Sequence, residues 1–212
     1  MGLVVNECEM EWKQVREDHM MVEHEGFPLV TGHLSLDLVN TEVVRRGNRH
    51  NLLATSDDLA RWIAVMEQAG GLAGESLPEG CSTPDVLHSL LALREVLRRQ
   101  FERIADGNEP ADGWKEDLET RIARAPFAYK VMNNALVPVP MGAPPDALAS
   151  LVAWDALRLL ASGELLTLRR CANPDCVLLF LDASGRRKWC SMKICGNRMK
   201  VARHQSRKSG RK

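Results

Sequence analysis

Four of the six cysteines fall in two C-x4-C pairs near the C-terminus, Cys171/Cys176 and Cys190/Cys195, with thirteen residues between the pairs. This spacing constrains the fold more than any other feature. Two close pairs joined by a hairpin's length of chain can wrap opposite sides of one tetrahedral ion, each supplying two sulfurs. Asn173 and Pro174 sit inside the first pair and suit a tight knuckle. Beyond Gly196, which directly follows the second pair, no Pro and no Gly occurs until Gly210, so the pair is expected at the start of a helix. Val177 to Trp189 reads as a strand, a turn over Asp182–Gly185 and a second strand. Knuckle, β-hairpin and helix make a four-cysteine zinc finger. A set of reactive thiols is the alternative reading of the same residues. If zinc is bound by four thiolates, no position is left for water and the site is structural. Cys8 and Cys81 are expected as free thiols.

Charge separates the finger from the rest. Residues 169–212 hold thirteen of the 28 Lys and Arg but only two of the 28 acids, Asp175 and Asp182, a balance of +11 that leaves −11 on the rest of the neutral chain. A basic end beside an acidic body points to an anionic partner. No apolar run reaches the roughly 18 residues of a membrane span, and Glu7, Glu9 and Glu11 interrupt the start, so a cytoplasmic protein without a signal peptide is expected. In a reducing compartment, paired cysteines hold metal more readily than they form disulfides.

Upstream, residues 1–25 lack periodicity and are expected as a poorly ordered extension. Residues 26–164 form an expected α+β body, helical with a small antiparallel sheet, and 165–212 the finger with its basic tail. Phe27–His33 suggests a strand. Leu34, Leu38, Val39 and Val43 are spaced as a helix ending near Gly47, and Asn48–Ala54 as a loop or short strand. Ser56 is placed to cap a helix burying Leu59, Trp62, Ile63 and Met66, stopped by Gly70-Gly71. Thr83-Pro84 opens the plainest helix, with Val86, Leu90, Leu93, Leu97, Phe101 and Ile104 inward and Arg94, Glu95, Arg98, Arg99 and Glu102 on the opposite face. Trp114, Leu118 and Ile122 give a shorter helix. Alternation on both sides of Asn133-Asn134 predicts a hairpin whose second arm, with Pro138 and Pro140, lies at an edge. Pro144-Pro145 opens the last body helix, and Leu165–Arg170 is a strand leading into the finger. With no Gly/Ser linker between them, finger and body are expected to pack together.

The string Trp189-Cys190-Ser191, then Cys195-Gly196-Asn197-Arg198 and Lys200, preceded by Phe180, Asp182, Ser184 and Arg186-Arg187, resembles the CGNR zinc-finger family. Leu34-Ser-Leu-Asp37-Leu-Val-Asn40-Thr41, with Leu59 and Trp62, is similar to the ABATE-type domain that precedes that finger, with Ser35 and Leu38 standing where Cys and Phe are expected. The resemblance runs from about Thr31 to Arg207. It implies bacterial, stress-response transcription regulators.

Composition and spacing carry the functional expectation further. Lys193, Lys200, Arg203 and Arg207 share one broad face at 100° per residue, Arg198 extends the basic helix, and Arg186, Arg187 and Lys188 add cations on the hairpin. Such a surface can lie along a duplex, so double-stranded DNA is the expected partner; a solvated tail folded on the protein's own acidic body is the bland alternative. A zinc-stabilised module for acidic protein partners is the rival function. Arg169, Arg170 and Lys188 are candidates to offset the charge of the metal site. In the body, Asp37, Asn40, Thr41 and Arg45 could line a pocket for a small-molecule effector, or serve only as caps and ties; homodimerisation is the other role open to the body. His19, His24, His33, His50 and His88 are scattered, and no catalytic constellation is legible, so no enzymatic activity is expected.

Overall fold

The computed structural model describes residues 22–24 and 26–201. The expectations for 1–21, and for Arg203 and Arg207 in the tail, lie outside the described residues. Strands β1 (Val22–His24) and β2 (Phe27–Leu29) pair antiparallel and lead into helix α1 (Leu34–Val39). Hairpin β3 (Glu42–Arg45)–β4 (Asn48–Asn51) follows, then helices α2 (Ser56–Gln68), α3 (Pro84–Ala105) and α4 (Trp114–Arg124). Hairpin β5 (Phe127–Met132)–β6 (Ala135–Pro140), helix α5 (Pro144–Ala161) and a 3₁₀ turn (Glu164–Thr167) complete the body. Strands β7 (Leu168–Arg170) and β8 (Leu179–Leu181) and a π turn (Met192–Gly196) form the finger. The α+β class holds, but among the described residues the small sheet is four separate two-stranded ladders.

Helix α5 is the centre of the body. Its Ala- and Leu-rich sequence is buried almost continuously from Ala147 to Ala156, and α1, α3 and α4 pack around it. The predicted stripe of α3 is buried at Val86, Leu90, Leu93, Leu97 and Phe101 and joins the same core as Trp62, Leu59 and Leu148. Phe101 meets Trp114 of α4 edge to face at 6.0 Å between ring centroids.

Several local expectations are corrected. Helix α1 stops at Val39, and Val43 lies in a strand. Thr41 donates its hydroxyl to Leu38 O at 2.6 Å, which closes the last turn, and the β-branched pair Val43-Val44 continues as hairpin around Arg46 and Gly47, both at positive φ. The cap of α2 is Thr55 and not Ser56: its hydroxyl accepts the Asp58 N–H while Asp58 accepts the Thr55 N–H, a reciprocal capping box. Asn133 and Asn134 do turn the β5–β6 hairpin at φ 47° and 64°. Within the finger, β8 pairs with β7, which precedes the knuckle, and residues 186–189 form no strand.

That last correction explains how finger and body join. Pairing β7 with β8 folds the knuckle back on itself and delivers Leu168 and Leu179 into the body's core. Asn40, fully buried at the end of α1, grips Leu179 at both backbone groups: its Nδ2 donates to Leu179 O at 3.0 Å and its Oδ1 accepts Leu179 N–H at 2.9 Å. Arg98, expected on the solvent face of α3, is buried, 4% exposed. Its guanidinium donates to Val39 O at 2.5 Å and Val177 O at 3.2 Å, with Glu42 2.8 Å from Nε and Glu102 3.2 Å from Nη1. Two carbonyls and two carboxylates give a buried cation the partners that its desolvation requires. Asn40→Ala would strand two buried backbone groups of Leu179. One such group costs about 1–3 kcal/mol, so a loss on the order of 2–6 kcal/mol in denaturant unfolding is expected, larger than a surface Asn→Ala change gives.

Candidate metal centre

Each half of the cysteine cluster is shaped by local chemistry. Asn173, 2% exposed, bends the first knuckle by accepting the Asp175 N–H at 3.1 Å, and the Cys176 N–H closes the turn on Asn173 O at 3.0 Å. The Cys171 N–H donates to Leu178 O at 3.2 Å, so both sulfurs leave one tight loop. In the second half, the Ser191 hydroxyl accepts the Ile194 N–H at 3.0 Å, and the Cys195 and Gly196 N–H groups both donate to Ser191 O. The five-residue bond from Gly196 to Ser191 makes the π turn that carries Cys195, after which helical backbone continues through residues 197–201.

These two halves bring the four sulfurs within 4.8 Å of one another, with Cys176 and Cys190 at 3.9 Å. Four sulfurs at about 2.3 Å from a central zinc would be about 3.8 Å apart, so the cluster has the size of a tetrahedral thiolate site. Cys190 and Cys195 are fully buried and Cys171 is 7% exposed, leaving Cys176 the most accessible. Taken as four thiols alone, they cannot ionise together. Cys171 is pulled below its ordinary value by hydrogen bonds from its neighbours, Cys176 foremost, while Cys190 is pushed up by the same set, Cys171 foremost. A divalent cation removes that conflict.

Four thiolates around a dication carry a formal charge of −2, and hydrogen bonds to sulfur spread part of it. The Cys190 N–H donates to Cys171 Sγ and Asn173 Nδ2 to Cys195 Sγ, both at 3.4 Å. The expected arginines do something else. Arg170 makes a two-pronged ion pair with Asp106, the residue that follows α3, at 2.6 and 2.8 Å, and its hydrogen bonds hold the Asp106 carboxyl below the usual range. Arg169 donates to the carbonyls of Leu166 and Leu168, and Lys188 points to solvent. Cysteine spacing alone does not mark Asn173 as a partner of the cluster, although Asn-Pro-Asp inside a C-x4-C pair signals a side-chain-to-backbone turn.

Among the predicted nucleic-acid contacts, Arg186, Lys188, Lys193, Arg198 and Lys200 are exposed, and none forms an ion pair among the described residues. Arg187 turns inward. Its guanidinium lies 4.6 Å over the Phe180 ring and donates to Leu181 O at 3.2 Å and Cys190 O at 2.5 Å. The π turn also breaks the 100° register, so Lys193 does not lead one straight face running on to Lys200.

Of the four residues expected to line a body pocket, three are bonded to the chain's own backbone. Asp37 is buried and accepts the N–H groups of Val30, Thr31 and Gly32, while its burial pushes the carboxyl up to about 6. Asn40 is the Leu179 clasp, Thr41 bonds Leu38 O and accepts from Arg94, and Arg45 is exposed on β3. An open depression beside α2, lined by Ile63, Glu67, Leu77 and Cys81, contains none of them. His33 is buried, with Nδ1 3.5 Å from Asp155 and Nε2 3.7 Å from Glu164. Burial alone would raise Asp155, but His33 and Ser35 outweigh it and hold the carboxyl below its usual range. Nothing in the sequence spacing of His33 and Asp155 signals that contact.

With the cluster closed by four cysteines, Cys190→Ser should lose bound zinc and unfold the finger. Zinc content near one equivalent together with an unchanged melting temperature in that variant would contradict the assignment.

Comparison with known families agrees with this geometry. Residues 167–208 match the family described as "CGNR zinc finger", and residues 32–163 match ABATE, described as "Putative stress-induced transcription regulator". No curated protein matches the chain. The four-cysteine cluster is thus the zinc site of a CGNR finger, and since the ABATE match alone spans more than half of its length, the chain belongs to the ABATE family.

Proposed function

We propose that the protein is a zinc-dependent transcription regulator that acts in the cytoplasm, without enzymatic activity, by laying its finger along duplex DNA. The observation that carries this reading is the division among the finger's cations. Arg170 and Arg187 are spent on internal partners, whereas Arg186, Lys188, Lys193, Arg198 and Lys200 stand open on the framework built around the zinc site. A rigid array of open cations displaces counterions when it meets phosphates, the main source of affinity for a nucleic-acid backbone. The closed thiolate site fits a structural metal, which supports a binding role.

In this reading the body supplies self-association or effector sensing. Its exposed β5–β6 hairpin favours the first: Tyr129, Val131 and Leu136 are 56%, 75% and 68% exposed, and the register places Val131 opposite Leu136. Among the described residues no helix is long and apolar enough to cross a membrane. The rival reading, a zinc-stabilised surface for acidic proteins, draws on the exposed Met192 and Val201 beside those cations.

The affinity of zinc-loaded protein for duplex DNA, measured against salt, separates the two readings. Replacing Lys193, Arg198 and Lys200 together by Ala should flatten the slope of log K against log salt by roughly 0.9 for each phosphate no longer neutralised, about 2.7 if all three side chains touch phosphate. Binding that is weak and untouched by these changes would favour the protein-partner reading.

A further inference from the structure

Between β8 and Cys190 the chain runs through residues 182–189 without regular structure, yet this loop is tightly determined. Asp182, 4% exposed, sits at its start. One carboxylate oxygen accepts the Ser184 N–H at 3.1 Å and the Ser184 hydroxyl at 2.6 Å; the other accepts the Arg187 N–H at 2.8 Å. The Arg186 N–H in turn donates to the Ser184 hydroxyl at 3.3 Å, and Gly185 turns the chain at φ 65°. The loop itself is fastened to the body, since the Asp182 N–H donates to Thr167 O at 2.9 Å.

The result is an alternation that no strand ladder imposes. Arg186 points out, Arg187 points in against Phe180 and the carbonyls of Leu181 and Cys190, and Lys188 points out. Asp182 also keeps its own charge out of the way. Its bonds within the loop, to Ser184 first, hold it ionised below the usual carboxylate range, while its oxygens face inward and form no ion pair with Arg186 or Lys188. An acid four to six residues from two surface cations would ordinarily weaken their pull on a phosphate; here it organises them.

We propose that Asp182 is the positioning residue of the finger's phosphate-binding loop. It touches no nucleic acid; it fixes the backbone of residues 184–187 so that Arg186 and Lys188 reach neighbouring phosphates while Arg187 anchors the loop. This rests on the DNA reading given above and assigns part of that surface to one buried carboxylate.

The test uses the full-length, zinc-loaded chain and a mixed-sequence DNA duplex. Four proteins are compared: wild type, Asp182→Ala, the double variant Arg186→Ala/Lys188→Ala, and all three changes combined. Asp182→Ala is expected to keep its zinc, to become sensitive to trypsin within the loop, and to forfeit most of the salt slope that the double variant forfeits, about 1.8 for two phosphates. Adding Asp182→Ala to the double variant should remove nothing further. Asp182→Asn, which keeps one acceptor for Ser184 but offers an N–H to Arg187, serves if the alanine variant does not hold zinc, and should fall between wild type and the double variant. Wild-type slope in a zinc-loaded Asp182 variant overturns the positioning role and leaves DNA binding standing. Failure of the wild-type protein to bind the duplex overturns both.

Discussion

Four thiolates held this close together repel one another unless a cation lies among them, and the finger is arranged around that requirement. The Cys190 N–H and the Asn173 side-chain amide point to sulfur, and the Ser191 hydroxyl closes the turn that carries Cys195 by accepting the Ile194 N–H. The hydrophobic content of the finger is small. Leu178 and Phe180 with three of the cysteines make its buried centre, and Val43, Trp189 and Ile194 pack around them. A core of that size cannot offset the chain entropy of roughly forty residues, so metal ligation supplies much of what keeps it folded.

The remainder of its stability is borrowed from the body. Leu168 and Leu179 belong to the larger core, Asn40 grips the backbone of Leu179, and the Arg98 guanidinium bridges the end of α1 to the knuckle. Arg98 is the costliest of these groups to bury, and it lies where the end of α1 and the knuckle each leave a carbonyl facing inward. Its pairing with Glu42 and Glu102 turns a desolvation penalty into a fixed geometry between helix, hairpin and finger.

How much of this is legible in the sequence depends on how local each signal is. The cysteine spacing, the stripe of α3, the proline starts of α3 and α5 and the Asn133-Asn134 turn are all local, and all appear in the structure. Arg98 escapes such a reading because helical periodicity assigns a charged residue to the outer face, whereas its partners, Val39 and Val177, are remote in sequence. Arg187 escapes it in the same way: a run of three cations looks uniform until Phe180 and two carbonyls take the middle one. The helix expected through Val43 fails because a threonine hydroxyl bonding back to the turn, and a left-handed Arg46-Gly47 pair, outweigh the spacing of a few apolar residues. The finger's hairpin is predicted with the wrong partner, since strand pairing across the knuckle is decided by where Leu168 and Leu179 find a core. The polar run Asp37, Asn40 and Thr41 is rightly unusual for a helix, but its purpose is to bind chain to chain.

The β7–β8 pairing has a consequence for how such proteins can be taken apart. The two family matches meet between residues 163 and 167, yet the strands on the far side of that seam give their leucines to the near side. Cutting there would expose an oily underside on the excised piece and open a trough in the remaining one. The finger is therefore not a portable cassette that could be grafted onto an unrelated host; any transplant would have to bring along the end of α1 and the Arg98 turn of α3, which form its socket.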